Sequence, residues 1–177
     1  MRIISGTHKG RNIIAPGNLP VRPTTDFAKE ALFNILQHQL ELSALDALDL
    51  FSGTGNITYE LASRGCTKIT AVDNNSRCCA FIKKTAENLG LDHIMVIKDD
   101  VFRFLKNNTH HYDLIFADPP YDLPETSSIP AMVMERALLN ENGLLIVEHG
   151  KQLDLSSHKG FYEKRNYGNV HFSFFRK

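Results

Sequence analysis

No stretch of this chain approaches the roughly 18 consecutive apolar residues needed to cross a bilayer, and its opening, Met1-Arg-Ile-Ile-Ser-Gly-Thr-His-Lys9, breaks after two apolar residues. A signal peptide carries an apolar run of about 7 to 15 there, so a cytoplasmic protein with no membrane partner is expected. Cysteine is scarce. Cys66, Cys78 and Cys79 are odd in number, two are adjacent and none has CxxC spacing, which points away from a disulfide framework or zinc site and toward buried small hydrophobes. The histidines His8, His110, His111, His149, His158 and His171 form no HxxxH or other ligand spacing, and no metal is expected. Repeats, low-complexity segments and linkers are missing too. A length of 177 residues, 42% hydrophobic and 23% charged, then suits one globular domain, with 1–24 as an extension and 25–177 as the core.

A net charge of one sign is also lacking, since 20 basic residues balance 20 acidic ones. The distribution is uneven. Residues 1–29 and 151–177 each carry an excess of four positive charges, which leaves the middle at −8. Basic ends around an acidic centre suit a protein that grips a polyanion at its periphery and uses carboxylates centrally, and equally suit an ordinary solvated surface.

What is present is alternation. Arg2–Ser5 and Arg11–Ile14 read as an N-terminal β-hairpin, followed by a loop through Ala15-Pro-Gly-Asn-Leu-Pro20. From Thr25 or Asp26 as N-cap, apolar residues at helical spacing predict a helix to about Leu40. Strands are then predicted at 47–51, 68–73, 94–98, 112–118 and 143–148, with helices at 57–64, 76–89, 101–107 and 128–139 between them. Strands separated by helices of this length make βαβ units on a parallel sheet, and continuous apolar runs such as Leu144-Leu-Ile-Val147 indicate burial on both faces. The runs 161–166 and 170–175, split by Gly168-Asn169, predict an antiparallel C-terminal hairpin whose Phe172, Phe174 and Phe175 pack in the sheet. The expected class is therefore α/β, with a mostly parallel Rossmann-like sheet.

Asp49-Leu-Phe-Ser-Gly53-Thr-Gly55 falls between a strand and a helix, where such a sheet places its ligand-binding turn. Asp73, 18 residues past Gly55 at the end of the next strand, is placed to bind ribose hydroxyls. Thr58 stands where a dinucleotide fingerprint has its third glycine, and an acid precedes the loop. A carboxylate there can hold an α-ammonium group, which S-adenosylmethionine carries and a nicotinamide dinucleotide lacks.

Asp118-Pro-Pro-Tyr121 follows the fourth apolar strand, at the carboxyl end where active sites of open α/β sheets lie. An exocyclic amine on a base is a poor nucleophile because its lone pair is delocalised into the ring. Hydrogen bonds from its N–H groups to Asp118 and the Pro119 carbonyl would pull the nitrogen toward tetrahedral geometry and free that pair. Pro119 and Pro120 stiffen the turn, and Tyr121 offers a face on which the base stacks.

In this order, these motifs resemble the class I S-adenosylmethionine-dependent methyltransferases that act on amino groups. Arg2-Ile-Ile-Ser-Gly, Lys9-Gly-Arg11, Arg22-Pro-Thr-Thr-Asp26 and Glu30-Ala-Leu-Phe-Asn34 resemble the RsmD family of bacterial 16S ribosomal RNA guanine-N2 methyltransferases, over nearly the whole chain. That resemblance implies S-adenosylmethionine contacts at Asp49, Phe51, Ser52, Gly53, Gly55, Asp73, Asn74, Asp100 and Val101. Asp100, or else Asp99, would hold the adenine amino group. It also implies chemistry at Asp118, Pro119, Pro120 and Tyr121, and RNA contacts at Arg2, Lys9, Arg11 and Arg22. The expected partner is 16S rRNA or an assembling small subunit, met by a monomer. The rival reading is a DNA adenine-N6 methyltransferase, which shares Asp-Pro-Pro-Tyr. A glutamine methyltransferase, an NAD-dependent oxidoreductase and a catalytically silent scaffold stand behind it.

Overall fold

The computed structural model describes residues 1–17, 19 and 25–177; Arg22 and Thr24 lie outside the described residues. Helix α1 (Asp26–Gln39) begins where the sequence puts its cap, for Thr25 Oγ1 accepts from the Ala28 N–H at 3.2 Å. Then alternate β1 (Asp46–Leu50), α2 (Asn56–Ser63), β2 (Lys68–Asp73), α3 (Ser76–Leu89), β3 (Ile94–Lys98), α4 (Val101–Asn107) and β4 (Tyr112–Ala117). Helix α5 (Ile129–Glu135), β5 (Leu139–His149), β6 (Phe161–Tyr167) and β7 (Val170–Arg176) complete the chain.

Among the described residues, seven strands pair in the order β3-β2-β1-β4-β5-β7-β6. The first five are parallel, and β7 runs antiparallel to both β5 and β6. Side chains alternate across this sheet and make two cores. Ala47, Ala71, Phe116, Ile146, Phe172 and Phe174 meet α1, α2 and α3, whereas Leu48, Val72, Ile115, Val147 and Phe175 meet α4 and α5. Burial on both faces explains the continuous apolar runs. The chain order reverses between β1 and β4, so a crevice opens beyond their carboxyl ends.

Two predicted elements differ. The helix expected over 128–139 stops at Glu135, because Ala137 turns to φ 52°, after which Leu138 enters the core just before β5 and Leu139 at its start. Their apolar spacing fits either element, and pairing of Leu139 with Tyr112 decides for the strand. The N-terminal hairpin is reduced to one bridge, Arg2 with Asn12, supported by main-chain bonds from Ile3 to Arg11 and from Gly10 to Ile3. Ile3 and Ile13 anchor this arm in the core beside α1.

Candidate active site

The loop after β1 is shaped by backbone that ordinary residues avoid. Phe51 has φ 58°, Gly53 53° and Gly55 83°. A non-glycine residue held in the left-handed region stores strain that tends to mark functional sites. At Gly55 an added Cβ would also lie 2.7 Å from the Tyr59 ring, so glycine alone fits. The strand and loop meet Asp73 directly: its Oδ2 accepts from the Gly53 N–H and its Oδ1 from the Asn75 N–H, both at 2.8 Å. Each carboxylate oxygen has a second lone pair, which leaves this half-buried group able to take ribose hydroxyls as well. Asn74, beside it, is exposed.

Asp49 is buried, and its Oδ2 accepts from Thr58 Oγ1 at 2.5 Å. Thr58 therefore does more than replace a glycine, since it supplies the donor that holds this acid below the loop. Burial pushes the Asp49 carboxyl up to about 7, against the pull of the Thr58 bonds. The buried Ser52 hydroxyl has no hydrogen-bond partner among the described residues, which fits a loop built to receive a polar ligand.

Beyond the end of β3, on the β2 side of the loop, Asp100 caps α4 through the Arg103 N–H at 2.9 Å, with one oxygen outside the cap. Asp99 is tied instead to the Arg103 guanidinium, with Nε 2.6 Å away. The Val101 side chain is buried in the core, so only its main chain faces outward as a potential contact. Phe51 and Phe102 pack edge to face at 6.0 Å beside them.

The fourth-strand turn is adjacent. The Asp118 N–H reaches the Leu50 carbonyl at 3.3 Å, so the Asp118 turn and the glycine loop leave neighbouring strands together. Asp118 is half-buried, Pro119 buried and Pro120 exposed. Tyr121 is 53% exposed, yet its hydroxyl donates to Glu148 Oε1 at 2.8 Å. Sequence reasoning missed Glu148. Its signal was an acid directly after the apolar run Leu144–Val147 of a central strand.

The basic N-terminal residues do not gather at one point. Arg2 pairs with Asp26 at 3.5 Å on the surface, close to Met1, whose sulfur accepts from Thr54 Oγ1 in the loop. The arm's turn is docked on Ser63 and Leu89, at the last residues of α2 and α3. Lys9 consequently sits about one length of α2, roughly 12 Å at 1.5 Å per residue, farther from the loop. Lys9 and Arg11 are both exposed.

Comparison with known proteins places this architecture. The Bacillus subtilis protein YlbH is 31% identical over 185 residues, covering 100% of this chain and 99% of its own. Ribosomal RNA small subunit methyltransferase D of Haemophilus influenzae is 31% identical over 159 residues, or 88% of this chain and 81% of that one. A solved Thermus thermophilus protein shares the fold with a TM-score of 0.86 and 24% identity, over 100% of this chain and 99% of that chain. The family model described as conserved hypothetical protein 95 matches residues 1–176. With all but its last residue inside that match, this chain belongs to the conserved hypothetical protein 95 family, the RsmD-like methyltransferases.

Proposed function

We propose that the protein transfers a methyl group from S-adenosylmethionine to the exocyclic N2 of a guanine in 16S ribosomal RNA. The observation that carries the reading is the juxtaposition of the Asp118-Pro-Pro-Tyr121 turn with the glycine loop at the reversal point of the sheet. The relative named as a ribosomal RNA small subunit methyltransferase supports the substrate class. Asp49, Ser52, Asp73 and Asp100 would hold the cofactor, with Phe51, Gly53, Gly55, Asn74 and Val101 shaping its bed. Bound there, S-adenosylmethionine supplies an electrophilic methyl group on a sulfonium. Asp118 and the Pro119 carbonyl accept from the target amine, and Asp118 stands to take the surplus proton once the nitrogen is substituted. Tyr121 holds the plane of the base.

Transfer of labelled methyl to naked 16S rRNA, assembled small subunits, duplex DNA and protein tests the reading. Label on N2-methylguanosine is expected. Label on DNA adenine or on protein alone replaces this function with a rival one.

Three expectations follow from the site. Asp73→Ala removes a charged acceptor from the ribose and from the Gly53 and Asn75 N–H groups. At about 1.5–3 kcal/mol for such a bond, calorimetric affinity for S-adenosylmethionine should fall roughly ten- to a hundredfold; an unchanged value removes Asp73 from the site. Asp49 gives a pH dependence. Its raised value, about 7, leaves it neutral in acid, so an ammonium-bearing ligand gains its charged partner only as pH rises toward 7. Affinity should therefore climb from pH 5 to 7 in the parent, by at most about tenfold per unit for one proton, and Asp49→Asn should flatten that rise. Finally, changing Arg2, Lys9 and Arg11 to Gln should weaken RNA binding and shallow its salt dependence, by a little under one unit of slope per lost phosphate contact. Cofactor affinity in that triple variant should stay put, and an unaltered RNA salt slope would mean the arm is not the grip.

A further inference from the structure

Glu148 occupies the next-to-last position of β5, where it is 3% exposed and faces Phe172 of β7 in register. A carboxylate so placed is held against the cost of its own desolvation, and a sheet position of this kind would otherwise take an apolar residue. Its Oε1 accepts from the Tyr121 hydroxyl at 2.8 Å, while most of the Tyr121 ring stands in solvent. An exposed tyrosine has water for its hydroxyl. Fixing that hydroxyl to a buried carboxyl group instead removes the ring's freedom to swing about χ1 and χ2. The other edge of the ring is seated as well. A Cβ added at Gly150 would lie 3.2 Å from Tyr121 Cδ2, so any side chain at that position would crowd this edge of the ring. Held at the hydroxyl and along one edge, the ring keeps a face for a ligand.

We infer that Glu148 is a positioning residue for methyl transfer, fixing through the Tyr121 hydroxyl the plane on which the target base stacks. This rests on the proposed methyl transfer to RNA. It makes Tyr121→Phe damaging although stacking area is kept, because the loose ring samples orientations in which the amine misses Asp118. Misplacement on the scale of an ångström lowers rates by up to about a hundredfold.

The test is a double-mutant cycle on single-turnover transfer to naked 16S rRNA, with both substrates saturating. Tyr121→Phe and Glu148→Leu should each slow transfer about tenfold or more with cofactor affinity unchanged, and the double variant should be no slower than either alone. Glu148→Gln keeps an acceptor and should stay within about threefold of the parent. Where Glu148→Leu fails to fold, Glu148→Gln placed on the Tyr121→Phe background should have no further effect. Losses that multiply in the double variant, a Gln variant as slow as Leu, or Glu148→Leu at parent speed each overturn the inference. A parent that methylates no RNA overturns the functional reading itself, which a working parent with multiplying losses leaves intact.

Discussion

Asp118→Ala should bind cofactor and RNA as the parent does and lose about two to three orders of magnitude in single-turnover methyl transfer, the range seen when one preorganised polar group at a reacting centre is removed. The expectation comes from where the backbone puts the group. Asp118 leaves β4 with its N–H on the Leu50 carbonyl at 3.3 Å, and Leu50 itself ends the strand that opens the glycine loop. The carboxylate therefore has little latitude relative to the cofactor bed, and Pro119 and Pro120 restrict the turn that follows. A residue that contacts the amine chiefly as charge develops on nitrogen influences the rate more than the ground-state affinity. Asp118→Asn keeps a carbonyl acceptor on a similar shape but no charge, and should fall between parent and Ala. Calorimetry for the two substrates and rapid-quench transfer separate the steps. Parent-rate transfer by Asp118→Ala at saturation removes the group from the chemistry, and a loss confined to RNA affinity would make it a binding residue.

The parts of this molecule that repeat a local rule are legible in its sequence. Strand β2 at 68–73, α3 at 76–89, β3 at 94–98 and α4 at 101–107 coincide with their predicted spans, because hydrophobic period, cap and turn agree there. Asn75 and Asp100 cap the helices that start after them. The end of α5 is misread because apolar Leu138 and Leu139 satisfy a helix or a strand, and only pairing with β4 chooses. The candidate site divides in the same way. Its loops announce themselves through glycines, paired prolines and acids at strand ends. The groups that hold those loops are invisible to spacing, since Thr58 meets Asp49 across a turn, and Glu148 meets Tyr121 from 27 residues away. Lys29 reaches Asn56 over the same separation of 27. Long-range partners of this kind follow from topology, which is known only once the sheet order is known.

The largest stability effect should come from that last cluster. Lys29 and Glu60 are buried almost completely, with side chains 1% and 0% exposed and 3.5 Å between Nζ and Oε2. Glu60 accepts from the Ile4 N–H at 2.8 Å, the Ser5 N–H at 3.1 Å and Arg64 Nε at 2.7 Å, and Lys29 Nζ donates to the Arg2 carbonyl at 2.6 Å and Asn56 Oδ1 at 2.8 Å. Burial pushes Lys29 below its ordinary value while Glu60 pulls back, which says that the pair only partly offsets its own desolvation. Its net contribution is therefore small, yet removing one member strands the other. Glu60→Ala leaves a buried ammonium without its countercharge and the half-buried Ile4 and Ser5 N–H groups without their acceptor, and should cost about 3–5 kcal/mol. At roughly 2–4 °C per kcal/mol for a chain of this size, the melting temperature should drop by about ten degrees. Lys29→Met should cost less, because Arg64 and the two N–H groups still serve Glu60. The double change Lys29→Met with Glu60→Leu should recover part of the loss, since the stranded ammonium is gone while Arg64 and the Ile4 and Ser5 N–H groups still lack their acceptor. Cofactor affinity should not recover with it: Asn56 is the first residue of the helix that follows Gly55, and Arg2 belongs to the arm, so the charged pair is what registers both against the loop. Thermal melts and calorimetry on the three variants decide this, and a double variant that is as unstable as Glu60→Ala, or that binds cofactor like the parent, contradicts the account.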